Sequence, residues 1–343
     1  MNKKLMAAAV AGALAIPGMA FAQSAVTLYG TVDVGVKNQS KVITATGTSS
    51  VTEVSSQDHT SNRWGMMGSE DLGGGLKANF KLEGGYASDT GAMDNSSGDI
   101  FHRSSWISLS SGANAIELGY DYTTNFKVTA HYDPMSYTYT GITPVVGMTG
   151  VRTKNLVHGQ VGFNGVTLMA DYGMGEVPGS SSAGRSAEIG GYWSGNGLTI
   201  GAGSGSVDDG TGNAKRTDTT FGAAYSMNAF TFRAGLLQQK WDTAFSGATF
   251  EKSRLAMLGV QYMFSDRVSG RFGYYDVKDS AFAGGADGKN KLTMLAVDYS
   301  LSKRTTAYAE LDHKSFSGAD VSTTVGALAD GATGIGVGMV HKF

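Results

Sequence analysis

The chain has 343 residues, 50 of them glycine, no cysteine, and a formal net charge of −2. That charge excludes the basic footprint of a nucleic-acid binder, and the lack of cysteine excludes a disulfide-stapled secreted domain. Beyond the N-terminus no stretch reaches the ~18 consecutive apolar residues of a spanning helix.

Lys3 and Lys4, an apolar run from Leu5 to Ile16, and Ala20-Phe21-Ala22 have the layout of a secretory signal peptide, residues 1–22. The competing reading, a membrane helix, fails because the run is short and Pro17 interrupts it. Residues 23–343 then form one domain. Removing Lys3 and Lys4 from 27 basic residues leaves 25 against 29 acidic ones, a net charge of −4.

The first mature segment, 26–37, sets a pattern of period two. Val26, Leu28, Val32, Val34 and Val36 fall on one parity, and Thr27, Tyr29, Thr31, Asp33 and Lys37 on the other. Such alternation sends the two sets to opposite faces of a strand. The pattern recurs at 62–68, 76–86, 102–110 and 115–121. After a long irregular stretch it returns at 152–163, 166–173, 186–193, 198–206, 217–226 and 230–240. It ends with 253–264, 268–277, 291–300, 305–313 and 334–343, for sixteen strands in all. No helical period appears after the signal peptide, which argues against alternating strands and helices.

The connections alternate in length. Short ones, such as Asn164-Gly165 and 227–229, are separated by long polar ones: 39–58, 88–99, 120–150, 175–184, 207–215, 242–251, 280–288 and 316–333. Short turns at one end and long loops at the other are the habit of an outer-membrane β-barrel, whose strands come in even number. Strands of about ten residues suit the hydrocarbon thickness, and a lipid surround requires the sheet to close. Sixteen strands leave a water-filled interior. Arg233, Arg271, Asp298, Glu310 and Asp312 all lie on the inward parity, and water spares them a costly dry burial. The fold class is all-β, a 16-stranded antiparallel transmembrane β-barrel. The stretch 120–150 is too long for an ordinary connection and too aromatic for disorder. As the third long loop, it is expected to fold back into the lumen and narrow it.

Four motifs resemble those of β-proteobacterial general porins. They are Ala25–Val36, Asn62–Glu83 (NRWGMMGSEDLGGGLKANFKLE), Leu301–Glu310 (LSKRTTAYAE) and Val337–Phe343 (VGMVHKF). They lie at both ends of the chain, and the middle resembles the family in strand spacing alone. The resemblance implies a homotrimer in the outer membrane, in contact with lipid and lipopolysaccharide, that passes ions and small hydrophilic solutes passively and carries no cofactor. It implies a constriction with basic residues on the wall facing acidic ones on the third loop. Arg63, Arg103 and Arg152 match the wall positions, with Lys81 added from the inward parity. Glu117, Asp121 and Asp133 are the acidic candidates. Simple parity sets Arg103 with Ile107 and Leu109, which requires a bulge or a rim position. Where the family has LGRQ, this chain has Leu118-Gly119-Tyr120-Asp121, so the charge preference of the pore stays open. Phe343 ends an amphipathic strand and resembles the signal read by the barrel-assembly machinery.

Two other functions compete. A substrate-specific channel would use Tyr120, Tyr122, Phe126, Tyr132, Tyr137 and Tyr139 to hold a sugar or small organic acid. An outer-membrane hydrolase would need a nucleophile with a positioned partner. His158 is the one histidine on an inward parity away from a strand end, and no G-x-S-x-G is present. Gly201–Gly205 is rich enough in glycine for a phosphate loop but opens no helix. Residues 208–213 resemble part of a Ca²⁺ loop without its closing glutamate. No catalytic or metal-ligating residue is assigned.

Overall fold

The structure, a computed structural model, describes residues 25–139, 142–245 and 247–343. The expected signal peptide lies outside the described residues. Strands β1 (Ala25–Thr44), β2 (Gly47–Ser56), β3 (Arg63–Gly73), β4 (Leu76–Gly85), β5 (Ser104–Ser111) and β6 (Asn114–Tyr122) come first. They are followed by β7 (Arg152–Phe163), β8 (Val166–Gly173), β9 (Ser186–Gly195), β10 (Leu198–Asp208) and β11 (Lys215–Met227). The last are β12 (Phe230–Trp241), β13 (Phe250–Met263), β14 (Val268–Ala281), β15 (Gly288–Ser300), β16 (Thr305–Gly318) and β17 (Ala332–Lys342).

All belong to one antiparallel sheet. β1 pairs with β17 from Thr31↔Lys342 to Gln39↔Gly334, which closes the sheet into a barrel. β1 also pairs with β3 along 25–31 and then with β2 along 34–44. β2 and β3 are therefore one barrel strand broken at 57–62, and the seventeen segments make sixteen strands. Turns such as Asn164-Gly165 and Asn196-Gly197 have positive φ at both residues, the mirror-image turn that suits twisted two-residue hairpins.

Two expectations change. Residues 39–58, read as a polar loop, are mostly a β-hairpin that carries β1 and β2 beyond the barrel. Its outer part is exposed on both faces, so no apolar parity marked it. The long third connection contains two helices, α1 (Thr124–Thr129) and α2 (Ile142–Thr149). Six and eight residues are too few to display a helical period.

The expected faces are present. Ile189, Phe221 and Leu236 are 67%, 56% and 60% exposed on the outer parity, where hydrocarbon and not water must be the solvent. The inner parity carries the buried Asp171, Glu188, Asp218, Asp298 and Asp312. The apolar core lies inside the barrel, on one side. There Val128, Tyr132, Met135, Tyr139, Val145 and Met148 of the third loop pack on inward residues such as Leu237, Leu255, Met257 and Tyr275.

Candidate functional site

The third loop leaves β6 at Tyr122 and is docked on the inner wall at three places. The first is the N-terminus of α1. A helix start leaves backbone N–H groups without partners. Here Thr123 Oγ1 accepts from Phe126 N at 3.2 Å. Glu188 Oε2 of β9 accepts from Asn125 N at 2.7 Å, and Asp171 Oδ2 of β8 accepts from Thr124 N. Two wall carboxylates thus cap the helix, where its dipole favours negative charge. His158 faces the other oxygen of Asp171 and is almost wholly buried behind α1. It is part of this clamp and not an exposed base.

The second place is a row of inward glycines. Register pairs Gly190 with Gly203, Gly201 with Gly222, Gly222 with Gly235, and Gly259 with Gly273. A Cβ at Gly203 would meet Asn125, at Gly222 or Gly235 the ring of Tyr132, at Gly259 Pro134, and at Gly273 Met135. Glycine permits this close backbone approach. The glycines of 201–205 are explained in this way, without a phosphate. Tyr132 is fully buried, and its hydroxyl meets Thr220 of β11.

The third place is the far end of the loop. Tyr275 donates to Asp133 Oδ1 at 2.9 Å, and Tyr137 N donates to Oδ2 at 2.8 Å. Asp133 has no exposure. Burial pushes its carboxyl up to about 6, against the lowering effects of the Tyr137 N–H, the Tyr275 hydroxyl and Arg233. Tyr139 donates to Asp298 of β15, and Arg271 lies 3.3 Å from the same carboxylate. The break between β2 and β3 supplies the last partner: His59 O accepts from Tyr139 N at 2.8 Å. That break is itself held by Asp33, which accepts from His59 N and Thr60 N at 2.8 and 2.6 Å.

The remaining charged groups gather around Glu83 and Tyr122 and around Asp121. Arg103 Nε is 2.9 Å from Glu83 Oε1, and Lys81 Nζ is 3.2 Å from Oε2. Tyr122 OH accepts from Arg103 at 3.1 Å and from Arg152 at 2.6 Å. Arg152 also sits 4.2 Å over the Tyr122 ring, a cation–π contact. Arg63 is half-buried and donates to Thr60 Oγ1 at 3.2 Å. On the loop side Lys127 is 3.1 Å from Asp121, which also accepts from Ser104 at 2.7 Å. Glu117 is buried on β6 near this group.

The wall candidates Arg63, Lys81, Arg103 and Arg152 therefore come together around Glu83 and Tyr122. Arg103 lies just before β5 begins, so it escapes the outward parity of Ile107 and Leu109. Asp133 does not face open space; it is an anchor. It is also the only carboxylate in 123–151, so the loop turns Lys127 and no acid toward the opening. Tyr132 and Tyr139 are buried in the same docking, and Tyr120 lies on the outer parity with Leu118. A ligand site built from all six aromatic residues is thereby broken up. Sequence reasoning missed Lys127, Tyr275 and the capping roles of Asp171 and Glu188. Inward parity was the available signal for all but Lys127.

Comparison with known proteins agrees with this geometry. The family model described as Gram-negative porin matches residues 7–319. Outer membrane porin protein 32 of Delftia acidovorans is 36% identical over 258 residues, 70% of this chain and 70% of that protein. The chain belongs to the Gram-negative porin family. The porin superposes on the structure described as an anion-selective porin from Comamonas acidovorans with a TM-score of 0.78 and 28% identity. That match covers 94% of this chain and 100% of the other. OmpT of Vibrio cholerae shares the fold at 17% identity, with a TM-score of 0.70 over 93% of this chain and 98% of that one. The protein is an outer-membrane porin, a closed barrel that forms a channel.

Proposed function

We propose that this porin is a general-diffusion channel that prefers small hydrophilic anions, without catalysis. One observation carries the preference: Arg63, Lys81, Arg103, Arg152 and Lys127 gather at the narrowing, while the loop's single carboxylate is buried behind it. Fixed charge at a constriction selects ions through its local field, and low-dielectric walls focus that field. The Comamonas relative described as anion-selective supports the same sign. Hydrophilic solutes pass by diffusion, and no solute-specific pocket is invoked. The working unit is a homotrimer, exported by the signal peptide at 1–22.

Planar-bilayer recording in a salt gradient tests the sign. A reversal potential of anion sign is expected, and a cation sign would sink the reading. Arg63→Glu should shift it toward cations with assembly intact, since this side chain is half-buried at the start of β3 and donates one hydrogen bond, to Thr60, among the described residues. The preference should fade as salt rises from 0.1 M to 1 M, where the screening length falls from about 10 to about 3 Å.

The C-terminus supports an assembly role. Gly30 N and O exchange hydrogen bonds with Phe343 O and N, both at 3.1 Å, and the Phe343 ring covers Gly30. Deleting Phe343 removes both the seam contact and the terminal aromatic. Outer-membrane yield of the folded barrel should drop several-fold, and an unchanged yield would remove Phe343 as the signal.

A further inference from the structure

Most large apolar side chains that are exposed within strands lie on the outer parity, against hydrocarbon. Met67 is different. It is 44% exposed and shares its parity with Arg63, so it faces the water of the channel. Its register partner on β4 is Lys81, and the register partner of Lys81 on β5 is Trp106. Trp106 is half-buried and also inward, since its parity holds Ser104, which donates to Asp121, and Ser108, which accepts from Asn79. Residues directly opposite in an antiparallel pair stand about 5 Å apart. Lys81 is therefore flanked by a thioether on one side and an indole on the other. A Cβ at Gly65 would meet the ring of Tyr29, so a third apolar body lies over β3 beside Met67. Beyond Trp106 the register places Gly119 of β6, which adds no side chain.

Arg63 and Arg103 stand where β3 and β5 begin, and this row lies nearer the short turns. Short turns mark the periplasmic side, so an inbound solute that leaves the arginines meets the row next. Fixed charge alone treats all small monoanions alike. Apolar groups on both sides of a cation match a solute with an anionic head and an apolar body. We propose that Trp106, with Met67 and Tyr29, forms an apolar step beside Lys81 that holds small aromatic carboxylates in transit, the carboxylate on Lys81 and the ring against the indole. Offset-stacked rings and sulfur–aromatic contacts both favour a flat body there. The step rests on the anion preference proposed above and deepens it by naming the anions that are favoured. Trp106 sets specificity and takes part in no reaction.

The test measures block of potassium chloride current through the intact porin in planar bilayers, with benzoate and with threonate. These two monoanions match in charge and in number of non-hydrogen atoms, but one carries a ring where the other carries hydroxyls. The ratio of their half-blocking concentrations therefore cancels the charge and the width of the pore. In the wild type, benzoate should block at a concentration several times lower than threonate. Trp106→Ser should raise the benzoate value about threefold to tenfold and bring the ratio near one, while Trp106→Phe keeps most of the preference. Trp64→Ser is the control, since Trp64 lies on the outer parity beside Phe101, and its ratio should match the wild type. Equal block by both anions in the wild type overturns the step, and so does a preference that survives Trp106→Ser. If Trp106→Ser does not assemble, Met67→Ser replaces it and should raise the benzoate value about twofold. No change in that variant overturns the step. A reversal potential of cation sign with the benzoate preference intact would end the anion reading of the pore and leave the step standing.

Discussion

The two ends of the loop inside the barrel are held by different physics. At α1 the partners are two wall carboxyl groups, Asp171 and Glu188, which accept from backbone N–H groups of a helix start. Their oxygens satisfy donors that a helix start leaves without partners. At 132–139 the partners are glycines that admit Tyr132 and Met135, plus one carboxylate, Asp133, with no exposure at all. Charge there is a burden, since burial disfavours it and two donors compensate in part. The first anchor rests on wall acceptors meeting backbone donors, and the second on close packing against glycines.

The sharpest way to break the anchor at 132–139 is pH. The Asp133 carboxyl stands at about 6 when docked, against 3.8 for the free group. Between those values the docked loop holds a proton that the undocked loop lacks. Docking is therefore strongest below about pH 4, and it weakens as pH rises through about 6, by up to about 3 kcal/mol. Hydrogen exchange of the Tyr137 amide should speed up over that window. Asp133→Asn should flatten the slope, and a slope that survives it would assign the effect elsewhere.

The packing side of the comparison is broken at Gly222. Gly222→Leu drives a side chain into the Tyr132 ring, and overpacking of this kind costs about 2 kcal/mol. The loop should shift, with larger single-channel conductance and a lower unfolding temperature. Gly159→Leu is the control, since nothing lies within 4 Å of a Cβ there. Equal effects in both variants would refute the glycine seat.

The smallest effect belongs to the helix cap. Asp171→Asn or Glu188→Gln replaces a carboxyl acceptor by a carboxamide at the start of α1. Each should cost about 1 kcal/mol in local stability. Faster exchange confined to Thr124 and Asn125 is expected, with conductance nearly unchanged. Exchange that spreads to Tyr137 would mean the two anchors act as one unit.

Much of the barrel was legible because a strand bordered by lipid and water must alternate. Val26 to Lys37, Leu76 to Glu83 and Ile335 to Phe343 show it residue by residue. The place of the third loop followed from counting strands. Its chemistry did not follow. Asp133 beside Pro134 reads like a solvated loop acid, and nothing local tells that Tyr275 covers it. The glycines at 190, 203, 222 and 235 look like turn or bulge residues until Asn125 and Tyr132 are seen against them. The hairpin at 39–58 was missed because water lies on both its faces, which removes the alternation that marks other strands.

By itself, then, the sequence determined the period, the number of strands, the two faces and the clustering of arginines near the ends of early strands. These depend on where successive side chains point, which is local. Tertiary structure alone decided which charges remain open to the channel. Tyr132 and Thr220 meet across 88 positions, and Asp133 and Tyr275 across 142. Only closure of the barrel brings such partners together, and burial between loop and wall then decides whether a carboxylate caps a helix, anchors a loop or faces passing ions.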